Sequence, residues 1–137
     1  MLRLTAADEA DMAIISVQMQ DALLRREDLR FDRKRHRFVM VTNRFAWDAL
    51  PEQQRRRSGL HFDDVEKVET IGVSRLPPDA IMSLLAISFA RTDDLAGIIT
   101  LAFSMGIQIR LHVSCINATL ADLGGTWITS HTPTHET

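Results

Sequence analysis

The sequence of 137 residues has little cysteine, tyrosine, glycine or proline, and each shortage excludes a class of protein. Its single cysteine, Cys115, rules out an internal disulfide framework and a multi-cysteine zinc site. The lack of tyrosine excludes acid–base chemistry by a phenol. Six glycines and four prolines are too few for a linker-rich or low-complexity chain. We therefore expect a folded protein in a reducing compartment, the cytoplasm.

Long apolar runs are also missing. The longest weakly polar stretch, residues 80–90, falls short of the roughly 20 residues that span a bilayer. The first residues contain no apolar segment of signal-peptide type. The length, with 45% hydrophobic and 25% charged residues, is typical of one globular domain. These features predict a single domain over residues 1–127, a polar disordered tail over residues 128–137, and no membrane partner.

Lysine is scarce, and the arginines cluster in one part of the chain. Only two of the 16 basic residues are lysines. Between Arg25 and Arg57, ten arginines and one lysine stand against five acids, a local balance of +6 in a chain of net charge −2. This clustering indicates a candidate binding surface more strongly than the identity of the residues does.

Apolar residues recur with helical spacing near the N-terminus. They stand three, four and three residues apart and form one stripe: Met12, Ile15, Met19 and Ala22. Asp8 precedes them as a residue of the type that caps helix N-termini. The pattern predicts a helix over about residues 8–22, after a short strand at residues 2–4.

The following segments alternate as strands do. The predicted strands are a hairpin at 28–32 and 36–46, further strands at 60–65 and 68–73, and an antiparallel meander at 82–89, 98–103 and 107–113. Residues 47–59 are predicted as a connection with a turn or two of helix beginning at Pro51. Apolar residues on both faces of 36–46 indicate a central strand.

A second helix is predicted at the end of the chain. Ser114 is a suitable N-cap, and Gly124 is a suitable stop. Between them, Ile116, Leu120 and Leu123 stand at helical spacing. The predicted fold class is therefore α+β: a curled antiparallel sheet or small barrel of six or seven strands, with an N-terminal helix and a closing C-terminal helix. This layout is similar to a pleckstrin-homology-like barrel, with an open α+β sandwich as the alternative.

Three segments carry a resemblance to a known family. They are FVMVTNRFAWD, IMSLLAISF and IQIRLHVSCINATLADLGGTW, and their order along the chain is the same. The sequence resembles a family of small bacterial proteins classed as a domain of unknown function, from about Leu2 to Trp127. The resemblance implies a one-domain protein in which the Asn43–Trp47 run is a shared element, and it implies no activity.

The Asn43–Trp47 run is the first candidate binding site. The run contains Asn43, and its Arg44 guanidinium, at a strand end beside the two aromatic residues Phe45 and Trp47, suits a phosphate or carboxylate ligand next to a ring available for stacking. The alternative is structural: Phe45 and Trp47 pack in the core, and Arg44 pairs with an acid such as Asp48.

A second candidate is the arginine-rich turn between the two hairpin strands. Arg33, Arg35 and Arg37 would extend the site at Arg44 into a basic face for RNA. The sequence pI of about 6.2 lies well below the range of dedicated nucleic-acid binders. The run Arg55–Arg57 is a further basic segment, for which a solvated loop is the simpler interpretation.

Histidine and cysteine give weaker signals. His112 and Cys115 could form an activated thiol at a helix N-terminus, but a small buried residue is the simpler interpretation of Cys115. His131 and His135 are separated by Pro133, which prevents the helix that would aim both at one metal. The sequence also lacks the P-loop, GxSxG and HExxH motifs. We therefore predict no catalytic residue, no metal site and no cofactor.

These candidates favour a non-enzymatic cytosolic binding or adaptor protein with a protein partner. Two alternatives stay open: an RNA-associated protein that uses residues 25–57, and a small-ligand carrier or enzyme with a pocket near Arg44 and His112. A homodimer is a further alternative, in which the strand at 39–45 or the strand at 107–113 pairs across a two-fold axis.

Overall fold

The computed structural model describes residues 2–45 and 54–128, and of residues 54 and 125–128 it describes the backbone alone. The described residues form one α-helix and ten β-strands. In chain order they are β1 (Arg3–Ala6), α1 (Glu9–Met19), β2 (Ala22–Arg25), β3 (Leu29–Asp32), β4 (Arg37–Phe45), β5 (Gln54–Phe62), β6 (Val65–Ile71), β7 (Ile81–Asp93), β8 (Ala96–Phe103), β9 (Gln108–Val113) and β10 (Ala118–Ile128).

All ten strands belong to one open antiparallel sheet. Its order is β1-β10-β5-β4-β2-β7-β8-β9-β6, with β3 paired to β4 beside this path. We call β1, β10, β5, β4 and β3 the first arm, and β7, β8, β9 and β6 the second arm. The short strand β2 joins the arms: it pairs with β7 over four residues but with β4 only at Leu23 and Asn43.

Alternating side chains turn one face of both arms toward a shared core. In β8 every second residue is buried, from Gly97 to Phe103, as expected for a half-buried strand. Phe62 of the first arm and Ile109 of the second arm belong to the same buried cluster. The sheet therefore curls around its core, and each large apolar side chain buried there contributes roughly 1.5–3 kcal/mol.

The helix α1 covers the core mainly beside β7. Its buried residues are Met12, Ile15 and Met19, which form the predicted stripe. The Asp8 side chain caps the helix by accepting a hydrogen bond of 2.8 Å from the Asp11 N–H. The helix ends at Met19, and Asp21 adopts a left-handed φ of 63°. The prediction of an N-terminal helix is confirmed, although Ala22 begins β2 instead of extending the stripe.

The hairpin and the meander are also confirmed. β3 and β4 pair over four residues on either side of the arginine-rich turn. β7, β8 and β9 pair in sequence as antiparallel neighbours. β4 is central, as its two apolar faces predicted, because β5 lies on one side of it and β2 and β3 lie on the other.

The predicted C-terminal helix is wrong. Residues 118–128 form β10, which pairs with both β1 and β5. Ala118, Leu120 and Asp122 are buried at a spacing of two, whereas Leu123, assigned to the helical stripe, is exposed. Gly124 does not stop a helix: with φ of 86° it lies in a register shift of β10.

The predicted connection at residues 47–59 is wrong from Gln54 onward, because Gln54–Phe62 is the strand β5. Residues 46–53, which include Trp47 and Pro51, lie outside the described residues. The fold class is corrected accordingly. The described residues form a ten-stranded open antiparallel sheet with one early helix, and not an α+β fold of six or seven strands with a closing helix or a pleckstrin-homology-like barrel.

Two further predictions concern membrane-spanning segments and the C-terminal tail. No helix in the described part of the chain is long and apolar enough to cross a membrane. The predicted tail lies outside the described residues from position 129 onward.

Candidate functional site

Arg44, the central residue of the first candidate, is fully buried and paired. Its side chain is 0% exposed, and it points toward the core from β4. Its Nε and Nη2 atoms donate to Oδ1 and Oδ2 of Asp122 on β10, at 2.9 and 3.0 Å. This is the bidentate geometry that a guanidinium and a carboxylate favour.

Three more groups complete the surroundings of Asp122. The Ser58 hydroxyl donates to Oδ1 at 2.6 Å, the Leu2 N–H donates to Oδ2 at 2.9 Å, and Arg56 Nη1 donates to Oδ2 at 3.3 Å. Asp122 in turn donates its backbone N–H to the Leu2 carbonyl at 3.0 Å. The carboxylate thus ties together β4, β5, β10 and the chain before β1.

The charge state of Asp122 follows from this arrangement. Burial alone would raise the pKa of the carboxyl group, because it disfavours the charged form. The hydrogen bonds from Arg44, Ser58 and the Leu2 N–H, with the charge of Arg44, outweigh burial and hold the pKa far below its usual range. An ionised, enclosed and fully hydrogen-bonded carboxylate is a poor general base, so the cluster serves to hold strands together.

The position of Arg44 therefore favours the structural alternative. Among the described residues its acidic partner is Asp122, and Asp48 lies outside the described residues. Sequence reasoning missed Asp122 because it was placed in a helix. The signal that could have found it is the alternation Ala118, Leu120, Asp122, which puts the aspartate on the buried face of a strand.

Arg33, Arg35 and Arg37 lie at the other end of β4, in and beside the β3–β4 turn. Arg37 Nε donates to Asp63 Oδ1 at 2.7 Å, a contact that raises the pKa of Arg37. Arg35 Nε is 3.8 Å from Asp32 Oδ2. Arg37 and Arg44 are seven residues apart on one strand, which corresponds to roughly 23 Å. The structure does not bring the two candidate groups together.

An open groove surrounds this turn. It has a volume of about 810 Å³ and is lined by five cationic side chains: Arg30, Arg33, Lys34, Arg35 and Arg37. The guanidinium of Arg33 lies 5.9 Å from the centre of the Phe31 ring, within the range of a cation–π contact. Within residues 2–45 and 54–128, neither Arg30 nor Lys34 forms an ion pair.

Asn43 occupies a third place, on the face of β4 opposite to Arg44. It lines a pocket of about 390 Å³ together with Leu23 and Arg57. Its Oδ1 atom is buried and accepts no hydrogen bond from the residues that the structure describes. Trp47, the remaining predicted site residue, lies outside the described residues. The predicted site is thus divided among a buried ion pair, a cationic turn and a separate pocket.

The run Arg55–Arg57 lies on β5, and its members point in alternate directions. Arg56 contacts Asp122 on the core side, as described above. Arg55 is buried and donates from Nη1 to the Asn43 carbonyl at 3.2 Å. Burial lowers the pKa of Arg55, an effect that the charge of Asp21 partly offsets. The run is therefore not one phosphate-contacting patch, and it is not a solvated loop either.

His112 and Cys115 do not form a reactive pair. His112 Nε2 contacts a carboxylate oxygen of Glu69 on β6. Cys115 follows β9 instead of opening a helix, and its thiol donates to Asp64 Oδ2 at 3.4 Å. Burial and the neighbouring Asp64 raise the pKa of the Cys115 thiol, which is the opposite of activation. Arg44 and His112 lie on β4 and β9, and three strands (β2, β7 and β8) lie between these two in the sheet order.

Metal ligands are likewise scattered. Among the residues that the structure describes, no three His, Cys, Asp or Glu side chains come close enough to hold a metal ion. His131 and His135 lie outside those residues.

Fold and site together define an antiparallel β-sheet protein that is tied by a buried arginine–aspartate pair and carries separate surface concavities. The chain belongs to the family described as "Protein of unknown function (DUF2948)", whose model matches residues 2–135. This match confirms the predicted membership of a family of unknown function. A comparison with curated proteins found no match.

Proposed function

We propose that the chain is a non-enzymatic binding protein of the cytoplasm that captures an extended, acidic segment of a partner protein along β3. The observation that carries the proposal is the coincidence of an open strand edge with cations that have no acidic partner among the described residues. In the described sheet, β3 pairs with β4 alone, so its second edge is open to another strand.

The charge of the groove favours an acidic partner. Arg30 lies on β3 itself, and Arg33 and Lys34 follow it in the turn, all three exposed. Asp32 and Asp63 already contact Arg35 and Arg37. A strand entering beside β3 would gain backbone hydrogen bonds, and its carboxylates would pair with Arg30, Arg33 and Lys34, which form no ion pair within residues 2–45 and 54–128.

The same geometry makes RNA the weaker candidate. Single-stranded RNA is held by stacking bases on exposed rings as well as by cations. Phe31 is the aromatic residue of this groove, and it packs against the core with Arg33 near its ring. The ring therefore offers little free surface for a base.

The two open edges at the ends of the sheet are less suited to an acidic strand. β6 carries Glu66 and Glu69 with one lysine, so it would repel carboxylates. β1 has four residues and carries a single cation, Arg3.

Fluorescence anisotropy tests the proposal. The probe is a labelled 12-residue peptide of alternating glutamate and valine, and an oligouridylate of equal charge is the comparison. We expect the Arg30→Gln/Arg33→Gln/Lys34→Gln variant to bind the peptide about tenfold more weakly, because each exposed charge contact contributes up to about 1 kcal/mol. Raising the salt concentration should weaken binding further.

Two controls separate charge from strand pairing. The variant Arg75→Gln/Arg91→Gln/Arg110→Gln removes equal charge from exposed residues elsewhere and should leave the affinity unchanged. A peptide with alternate backbone nitrogens methylated keeps its carboxylates but cannot pair as a strand, and its binding should be lost. Equal binding of the methylated peptide, or tighter binding of oligouridylate through the same three cations, would overturn the proposal.

A further inference from the structure

The strand β6 ends the second arm of the sheet, and its outer edge has no neighbouring strand. In the part of the chain that the structure describes, β6 pairs with β9 alone. The two strands considered for a homodimer, at residues 39–45 and 107–113, lie inside the sheet, because β4 and β9 each have neighbours on both sides. A dimer formed by strand pairing therefore requires a terminal edge such as that of β6.

Backbone contacts define the stretch of β6 that another strand can pair with. The Val65 N–H donates to the His36 carbonyl at 2.9 Å, and the Val65 carbonyl lies 3.2 Å from Nδ1 of the His36 ring. Both polar groups of the Val65 backbone are thus engaged by the β3–β4 turn. Beyond the pairing with β9, the described residues form no backbone hydrogen bond with residues 66–71. The open edge therefore begins at Glu66.

The charges along this edge are self-complementary in one register. Two copies of a strand pair antiparallel around a two-fold axis, so the residue at the centre faces its own copy. With Val68 at the centre, Lys67 of each copy faces Glu69 of the other. Glu66 faces the neutral Thr70. This register forms two cross-strand pairs of opposite charge, an arrangement that stabilises paired strands.

The two adjacent registers are disfavoured by charge. A shift that opposes side chains from different faces is not compatible with the pleat, so the next registers are centred on Lys67 or on Glu69. The first places two lysines directly opposite each other, and the second places two glutamates opposite each other. Like charges in these positions are destabilising. A strand edge of one charge sign would repel a second copy in every register, whereas β6 accepts one.

The side chains that would form these pairs are accessible. Lys67 and Glu69 are 65% and 46% exposed, and their charged ends are 4.0 Å apart within the chain. In the register between β6 and β9, they lie beside His112 and Arg110. Glu69 also contacts His112. Lys67 of a second copy would approach Glu69 from the open side, opposite to Arg110, so the glutamate would lie between two cations.

We infer that two copies of this chain associate through β6, antiparallel around Val68, and join their sheets edge to edge. The contact spans residues 66–70 of each copy. This is far fewer than the roughly 20–30 residues a side of a standard interface, so we expect a weak dimer with a Kd on the order of 10⁻⁴ M. The β6 edge shares no residue with β3, and the inference does not depend on the proposed peptide capture.

Sedimentation equilibrium of the full chain tests this inference at concentrations below and above that Kd. The mass of the wild type should rise from that of one chain to that of two. Glu69→Lys opposes lysine to lysine in both cross-strand pairs, and Lys67→Glu opposes glutamate to glutamate. Each variant alone should associate at least about tenfold more weakly than the wild type, because two attractions become two repulsions.

Mixing the variants identifies the register. In a mixed dimer of Glu69→Lys and Lys67→Glu, one copy has two cations and the other has two anions at positions 67 and 69. An equimolar mixture should therefore form dimers at least as tightly as the wild type. The double variant Lys67→Glu/Glu69→Lys restores opposite charges and should associate with itself but not with the wild type.

Controls separate this contact from folding and from other edges. All of these changes are at exposed positions, so circular dichroism and the unfolding temperature should match the wild type. Asp93→Lys makes the same change of charge as Glu69→Lys at an exposed residue of β7 and should leave association unchanged. The Arg30→Gln/Arg33→Gln/Lys34→Gln variant should also associate as the wild type does.

Three outcomes would overturn the inference. The first is a wild type that stays monomeric well above the expected Kd. The second is a mixture that associates no better than its two variants do separately. The third is loss of association in the Arg30→Gln/Arg33→Gln/Lys34→Gln variant, which would place the contact at β3 instead of β6.

Discussion

Arginines at the two ends of β4 have opposite surroundings. Arg44 is enclosed in the core and bound to Asp122 through two hydrogen bonds. Arg33 and its neighbours stand in solvent around an open groove. An enclosed guanidinium must keep its partner, because an unpaired buried charge is costly. An exposed one stays free to exchange water for a ligand. The same residue type therefore contributes to folding at one end of the strand and to recognition at the other.

The largest difference between the two ends should appear on removal of Arg44. In Arg44→Met the Asp122 carboxylate stays buried without its main partner. Breaking a buried pair in this way typically costs 3–5 kcal/mol, and we expect about 3 kcal/mol here because Arg56 still contacts the carboxylate. Urea unfolding followed by circular dichroism measures the loss.

A double variant distinguishes the pair from its neighbours. Arg44→Met/Asp122→Leu removes both charges, so stability should return to within about 2 kcal/mol of the wild type. A loss of less than about 1 kcal/mol in Arg44→Met alone would contradict a structural role for the pair. The proposed contrast between a structural arginine at one end of β4 and binding arginines at the other end would then be contradicted.

Acid should lower the stability of the protein through the buried Arg44–Asp122 pair. The folded-state pKa of Asp122 lies far below its unfolded value, so this carboxylate stabilises the fold at every pH above the unfolded value of about 4. As the pH falls below about 4, Asp122 becomes protonated in the unfolded chain but stays ionised in the folded chain. The stabilisation from Asp122 is therefore lost progressively. Urea unfolding at a series of pH values between 7 and 2 follows the loss.

Two variants identify the group that is responsible for the loss of stability in acid. Asp122→Asn cannot ionise at this position, so its stability should change less between pH 5 and pH 2 than that of the wild type. The Arg30→Gln/Arg33→Gln/Lys34→Gln variant leaves Asp122 and its partners in place and should follow the wild-type pH dependence. An Asp122→Asn variant with an unchanged acid response would assign that response to other carboxylates.

The two arms of the sheet also differ in how far the sequence predicts them. β8 and β9 alternate apolar and polar residues with little interruption, and their strands were predicted within one or two residues. β5 and β10 place Arg56, Ser58 and Asp122 toward the core, where a pattern of apolar residues is expected. Their alternation is hidden because the buried positions are polar.

The candidate site was also only partly predictable from the sequence, because residues that contact each other there are far apart along the chain. Arg44 was predicted to be a binding residue, with an ion pair as the alternative, and its partner Asp122 lies 78 residues away in sequence. Local reasoning favoured the nearby Asp48. The pairing of β4, β5 and β10 brings Arg44 and Asp122 together, and a single sequence does not reveal such a register. Asn43 was predicted as a member of the Asn43–Trp47 run, whereas the pocket that it lines depends on where β2 leaves β4.

The smallest effect on stability is expected at the exposed end of β4. In Arg30→Gln/Arg33→Gln/Lys34→Gln, no buried group loses a partner, so the free energy of unfolding should change by no more than about 0.5 kcal/mol. Arg37→Gln is the graded control: its half-exposed pair with Asp63, at 2.7 Å, should contribute about 1 kcal/mol. Urea unfolding of both variants at pH 7 gives the two values. A loss above about 2 kcal/mol in the triple variant would show that these cations stabilise the fold itself. They would then not be available to bind a partner, which would contradict the contrast between the two ends of β4.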